Sequence, residues 1–233
     1  MGRRRINSKP TAIGTLTKAV MSVTNNAETA FKKSVFLPHL VTYTEDEVVQ
    51  QSRVLCRDFI YIKLRENSLL DENVLRHDQE EGEDDEVKVP TDVAKEIIAM
   101  AAEFEQLYPY LFEDLGTYLK MTYQNVNQVK KTYHVAAHEI FKGGITWACV
   151  IALFLFTGAL TVDCVRQGHG KFGNQIVDCM QKFVREKLAP WIVSQGGWPG
   201  LLDHFHQYHK PSWQLWAAGS VGTIVGIILA VLA

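Results

Sequence analysis

Residues 138–160 read HEIFKGGITWACVIALFLFTGAL, and the whole architecture turns on this run. From Gly143 to Val162 no residue is charged. Twenty such residues are enough to cross a bilayer as a helix, but a central helix buried on every side in a soluble bundle has the same signature. The flanks favour the bundle. Upstream, Val48, Leu55, Phe59 and Ile62 recur at helical spacing, which predicts an amphipathic helix from Glu45 to about Glu66. After Pro90, Thr91 or Asp92 is placed to cap a helix whose apolar stripe is Val93, Ile97, Met100 and Phe104. Pro109 interrupts the pattern. Leu111, Phe112, Leu115 and Leu119 then predict a short helix, and Val126, Val129, Tyr133 and Ala137 another. Downstream, Phe172, Ile176, Met180, Phe183 and Lys187 mark an amphipathic helix with Asp178, Lys182 and Arg185 on its wet side. No stretch alternates as a β-strand would, so the expected class is all-α, a helical bundle around one buried hydrophobic helix.

The remaining composition narrows the function. Twenty-four basic residues against 26 acidic ones leave a net charge of −2, which gives no global field to attract nucleic acid. Cys56, Cys149, Cys164 and Cys179 are widely spaced, so neither a disulfide framework nor a zinc site is expected. Residues 1–43 are polar and irregular and read as a flexible segment. The helical domain is expected over 44–209, interrupted by an acidic loop at about 68–90 that contains DQEEGEDDE, residues 78–86.

From Pro211 to Ala233 the chain again carries no charge, and Trp213 and Trp216 stand where the run begins. Tryptophan favours the membrane interface, so residues 212–233 are expected to be a transmembrane helix. With nothing after it, such a helix makes the protein tail-anchored and faces the body to the cytosol. Ala218, Gly222, Gly226 and Ala230 stack small side chains on one helix face, where a second membrane helix could pack closely. The flanking charge is only Lys210 upstream, which leaves the mitochondrial outer membrane and the endoplasmic reticulum both open.

The central run resembles the first homology motif of the Bcl-2 family of apoptosis regulators, an acidic and apolar helix end leading through Gly and Trp into a long apolar helix. Here it is carried by Glu139, Phe141, Gly144, Ile145, Thr146, Trp147, Ala148 and Cys149. PWIVSQGGWPGLL, residues 190–202, resembles the second motif through Trp191, Gly196, Gly197 and Trp198. ITW at 145–147, VDCVRQ at 162–167, VDC at 177–179 and FVREKLA at 183–189 are similar to the Bok branch of the multi-motif members. The helix carrying Val93, Ile97, Met100, Ala101, Ala102, Glu103 and Phe104 stands where the third motif belongs, and EFEQLYP, residues 103–109, continues the likeness. Two departures matter. The acidic residue of the third motif is Ala102, and where the first motif has Asn, Gly and usually Arg the chain has Thr146, Ala148 and Cys149. The two losses are mutually consistent. One charge without the other would leave an unpaired ion in a partly buried interface, at about 3 to 5 kcal/mol, whereas losing both is close to neutral.

The resemblance implies a non-enzymatic regulator of apoptosis that acts by helix-in-groove contacts with Bcl-2 relatives and by contact with membrane lipid. It further implies a pro-apoptotic effector whose apolar hairpin, Gly143 to about Leu188, inserts, and whose protomers oligomerise to permeabilise the mitochondrial outer membrane and release cytochrome c. Lys142 and Asp163 bracket the hairpin's first helix. A pro-survival member that sequesters such effectors uses the same motifs, and Ala102 makes a poorer donor helix. A multi-spanning protein with permanent spans at 143–162 and 212–233 is a further alternative.

No cofactor, metal or small-molecule substrate is expected. Gly168, Gly170 and Gly173 spell G-x-G-x-x-G, but a helix rather than a strand precedes them. His134 and His138 lack the Glu that a zinc protease places after the first His. His204, His206 and His209 are not read as a metal site.

Overall fold

The computed structural model describes residues 42–70, 74–75, 87, 89–107 and 123–207. The expected helix at 111–119, most of the acidic loop, residues 1–41 and the anchor at 212–233 with Ala218, Gly222, Gly226 and Ala230 lie outside them. Among the described residues the secondary structure is helical: α1 (Glu45–Glu66), α2 (Thr91–Leu107), α3 (Val126–Ile140), α4 (Trp147–Arg166), a short 3₁₀ turn (Gly170–Phe172), α5 (Gly173–Phe183), a π-helical segment (Val184–Leu188), α6 (Ala189–Ser194) and α7 (Gly200–Gln207).

Each start has a local cause. Thr44 caps α1 in a capping box: its Oγ1 accepts from the Glu47 amide at 3.1 Å while its own amide donates to Glu47 Oε2 at 2.7 Å. Asn125 caps α3 by accepting from the Gln128 amide, and Thr146 caps α4 by accepting from the Cys149 amide. At α2 the expectation is corrected. Thr91 is the first helical residue rather than the cap, because Pro90 fixes the preceding turn and its carbonyl accepts from the Val93 amide at 3.0 Å.

α4 is the centre of the bundle. Seventeen of its residues are buried, Ala148, Val150, Ile151, Leu153 and Phe154 completely, and α1, α2, α3 and α5 pack around it. At Gly158 an added Cβ would stand 2.9 Å from Phe59 Cε1 and 3.0 Å from Lys63 Cγ, so the missing side chain is what lets α1 lie this close. Phe59 meets Phe154 edge to face at 5.6 Å, and Tyr133 and Thr157 share a buried hydroxyl–hydroxyl hydrogen bond of 3.1 Å.

The amphipathic expectation for α5 holds for Phe172, Ile176, Met180 and Phe183, which are buried while Asp178, Lys182 and Arg185 face water. It is corrected at Lys187, which is exposed: the π-helical segment shifts the buried position to Leu188. Arg53 Nη1 of α1 reaches Asp178 Oδ1 at 2.6 Å and ties the outer surfaces of the two helices. The glycines at 168, 170 and 173 form the turn between α4 and α5, with Gly168 at φ +80°. Asp163 departs from expectation. It does not bracket the apolar helix from outside but lies within α4, 8% exposed, because the helix runs on to Arg166.

Candidate functional site

α2 presents its stripe inward. Val93, Ile97, Met100, Ala101 and Phe104 are buried, Ala102 and Glu103 half-buried, and the helix rests on α4, α1 and α7. Alanine at 101 lets the helix approach closely between the larger side chains, as the small residue of the third motif is expected to do.

The first motif sits at the turn from α3 into α4. Glu139, its side chain 18% exposed, pairs with Lys142 at 2.9 Å, and Phe141 lies 5.4 Å from the Phe183 ring. Gly144 takes φ +118°, a conformation other residues rarely adopt, and so reverses the chain before Ile145 and the Thr146 cap. Trp147 and Ala148 are then buried. Cys149 occupies the position where the family's cation is expected. It is 7% exposed, and Thr146 Oγ1 donates to its Sγ at 3.2 Å. A thiol packed beneath the cap hydroxyl offers an incoming carboxylate no charge.

The second motif is brought against the first by aromatic packing. Trp147 stands 5.0 Å from Trp191 and 6.2 Å from Trp198, and Trp198 lies 6.0 Å from Phe154. Gly196 and Gly197 adopt φ +89° and +74°, forming the left-handed turn that swings Trp198 inward from the end of α6. Gly197 also carries the Tyr43 ring against its Cα, where a Cβ would collide. The structure thus unites the first two motifs in one cluster, and the third reaches them through α4 and α7.

Sequence reasoning missed two residues here. Lys63 has only 8% of its side chain exposed, and its Nζ donates to Glu105 Oε2 of α2 at 2.7 Å and to Glu66 Oε2 at 2.9 Å. Burial pulls the ammonium's pKa down, but the hydrogen bonds and charges of Glu105 and Glu66 outweigh it and leave the pKa raised. No local signal marks such a pair, since its members lie 42 residues apart. The histidines set aside above are aromatic packing: His134 stacks with His138 at 6.3 Å, and His138 meets Phe183 edge-on at 5.6 Å.

Comparison with known proteins follows this geometry. The family described as apoptosis regulator proteins, Bcl-2 family, matches residues 97–198, a span holding all three motifs except the start of α2 and residues 199–202 of the second motif. The Bcl-2-related ovarian killer protein homolog A of Danio rerio is 34% identical over 166 residues, covering 66% of this chain and 72% of the relative. The crystal structure of chicken BOK superposes with a TM-score of 0.59 at 27% identity, over 69% of this chain and 97% of that one. Trichoplax adhaerens trBcl-2L2 bound to trBak BH3 shares the fold, with a TM-score of 0.56 at 22% identity over 67% of this chain and 98% of that one. The chain belongs to the Bcl-2 family of apoptosis regulators and is closely related to its Bok proteins.

Proposed function

We propose that this protein is a pro-apoptotic effector that permeabilises the mitochondrial outer membrane by inserting the α4–α5 hairpin and oligomerising through α2. The observation that carries the reading is α4 itself. It is 20 residues long, apolar on every face and buried in the bundle. At 1.5 Å per residue it measures about 30 Å, the thickness of a bilayer's hydrocarbon core. Such a helix can exchange the protein interior for lipid. Asp163, its one acidic residue, stands less than a turn from the Arg166 end, so a spanning α4 would hold it near the headgroups rather than at mid-membrane. The relatives' name as killer proteins supports the same direction.

The contacts that assemble the oligomer are helix-in-groove contacts with Bcl-2 relatives or a second copy, and the fold neighbour trBcl-2L2 is itself bound to trBak BH3. Residues 212–233 anchor the protein to the mitochondrial outer membrane or the endoplasmic reticulum with the bundle in the cytosol, and Ala218, Gly222, Gly226 and Ala230 form their packing face. Ala102 favours the pro-survival reading as the second choice, because α2 lacks the carboxylate with which a donor helix engages a basic groove. The permanent-span alternative loses its support, since α4 is the core helix of a family fold.

Incubating isolated mitochondria with the full-length chain tests the proposal. Cytochrome c in the supernatant supports the effector reading. Retention, together with protection against an added effector, would replace it with the pro-survival one.

A further inference from the structure

Lys63 is the anomaly of α1. Its stem lies against the bare Cα of Gly158 on the core helix, its ammonium sits 5.6 Å from the centre of the Phe59 ring, and its charge is met by Glu66 from its own helix and Glu105 from α2. Glu105 follows Phe104, the last buried residue of the α2 stripe, and its side chain is 33% exposed. An exposed ion pair contributes little, but here the cation is largely withdrawn from water, so each contact to it is strengthened.

We propose that Lys63 and Glu105 form an autoinhibitory latch that fastens α2 to α1 and keeps the chain's own third-motif helix from reaching a second copy or a relative. The inference rests on the effector reading above, in which α2 is the donor helix. Two features make the contact a latch rather than a permanent strut. Glu66 stays with Lys63 when α2 departs, so opening breaks one of two charge-assisted hydrogen bonds and leaves no orphaned cation in the bundle. Glu105, already partly exposed, enters water at small cost. The core helix is built to receive the latch, because any side chain at 158 would push on the Lys63 stem and on Phe59.

The test is amide hydrogen exchange on the full-length chain, comparing the native protein with Glu105→Gln, Lys63→Met and the double variant. Methionine keeps the stem that lies on Gly158 and removes only the charge. The latch predicts exchange in residues 91–107 about tenfold faster in either single variant, residues 126–140 unchanged, and a double variant no faster than the singles. Unchanged exchange in 91–107, an equal rise in every helix, or additive single effects would each overturn it. Mitochondrial cytochrome c release on the same variants separates the two proposals: loosened α2 without increased release overturns the effector reading while the latch stands.

Discussion

The indole Nε1–H of Trp198 donates to the backbone carbonyl of Val48 at 3.0 Å, joining the second homology motif to the first turn of α1 across 150 residues of sequence. Both residues are fully buried, so the bond has no water to replace it. Trp198→Phe keeps an aromatic ring beside Trp147 and Phe154 but removes the donor. Chemical denaturation should register a loss of about 1–3 kcal/mol. Trp198→Ala should cost about 3–5 kcal/mol by adding a cavity. A phenylalanine variant as stable as the native chain would show that the bond is not a fastening.

Gly197 should tolerate no side chain. Its φ of +74° is strained for any other residue, and Tyr43 occupies the space a Cβ would take. Gly197→Ala is expected to destabilise the fold by more than about 1 kcal/mol. The same change in a Tyr43→Ala background should cost less, because only the backbone strain remains. Equal costs in the two backgrounds, read by thermal melts, would show that the Tyr43 contact has no energetic weight.

Stability should fall on mild acidification because of His204. Desolvation lowers its pKa from 6.5 to about 4 in the folded chain. The unfolded chain therefore binds the proton first, and stability is full above about pH 6.5 and is lost progressively as the pH falls toward 4. Between pH 7 and pH 5 this group alone accounts for about 1–2 kcal/mol. His204→Gln should flatten that part of the pH profile, and an unaltered slope would assign the effect elsewhere.

Cys149→Arg should improve the binding of helical death-motif peptides that carry an aspartate. The native thiol offers such a ligand no cation, whereas a hydrogen-bonded ion pair contributes about 1.5–3 kcal/mol, or roughly tenfold or more in affinity. Calorimetry on a variant first shown to fold would contradict this by returning equal or weaker binding.

Much of this structure is legible in the sequence. The stripe Val93, Ile97, Met100, Phe104 and the uncharged run beginning at Gly143 give α2 and α4 directly, because burial of a helix face imposes a period that the chain must display. The motif tryptophans are legible as residues, but their meeting at 5.0 and 6.2 Å around Trp147 is not, since it depends on a left-handed turn at Gly196 and Gly197. The buried Lys63 is not legible for a related reason. Its burial is decided by Gly158 on another helix and by Glu105 on a third, and no window along α1 contains either. The π-helical segment at Val184–Leu188 escapes prediction as well: its wider turn moves the buried position from Lys187, where a regular helical period places it, to Leu188.

The central claim is that this bundle opens membranes, and the most direct measurement is dye release from liposomes of mitochondrial lipid composition carrying the full-length chain. The account predicts release by this protein alone, without any relative added. No release, together with suppression of the release caused by an added effector, would contradict it and make the protein a restraint on death rather than its agent.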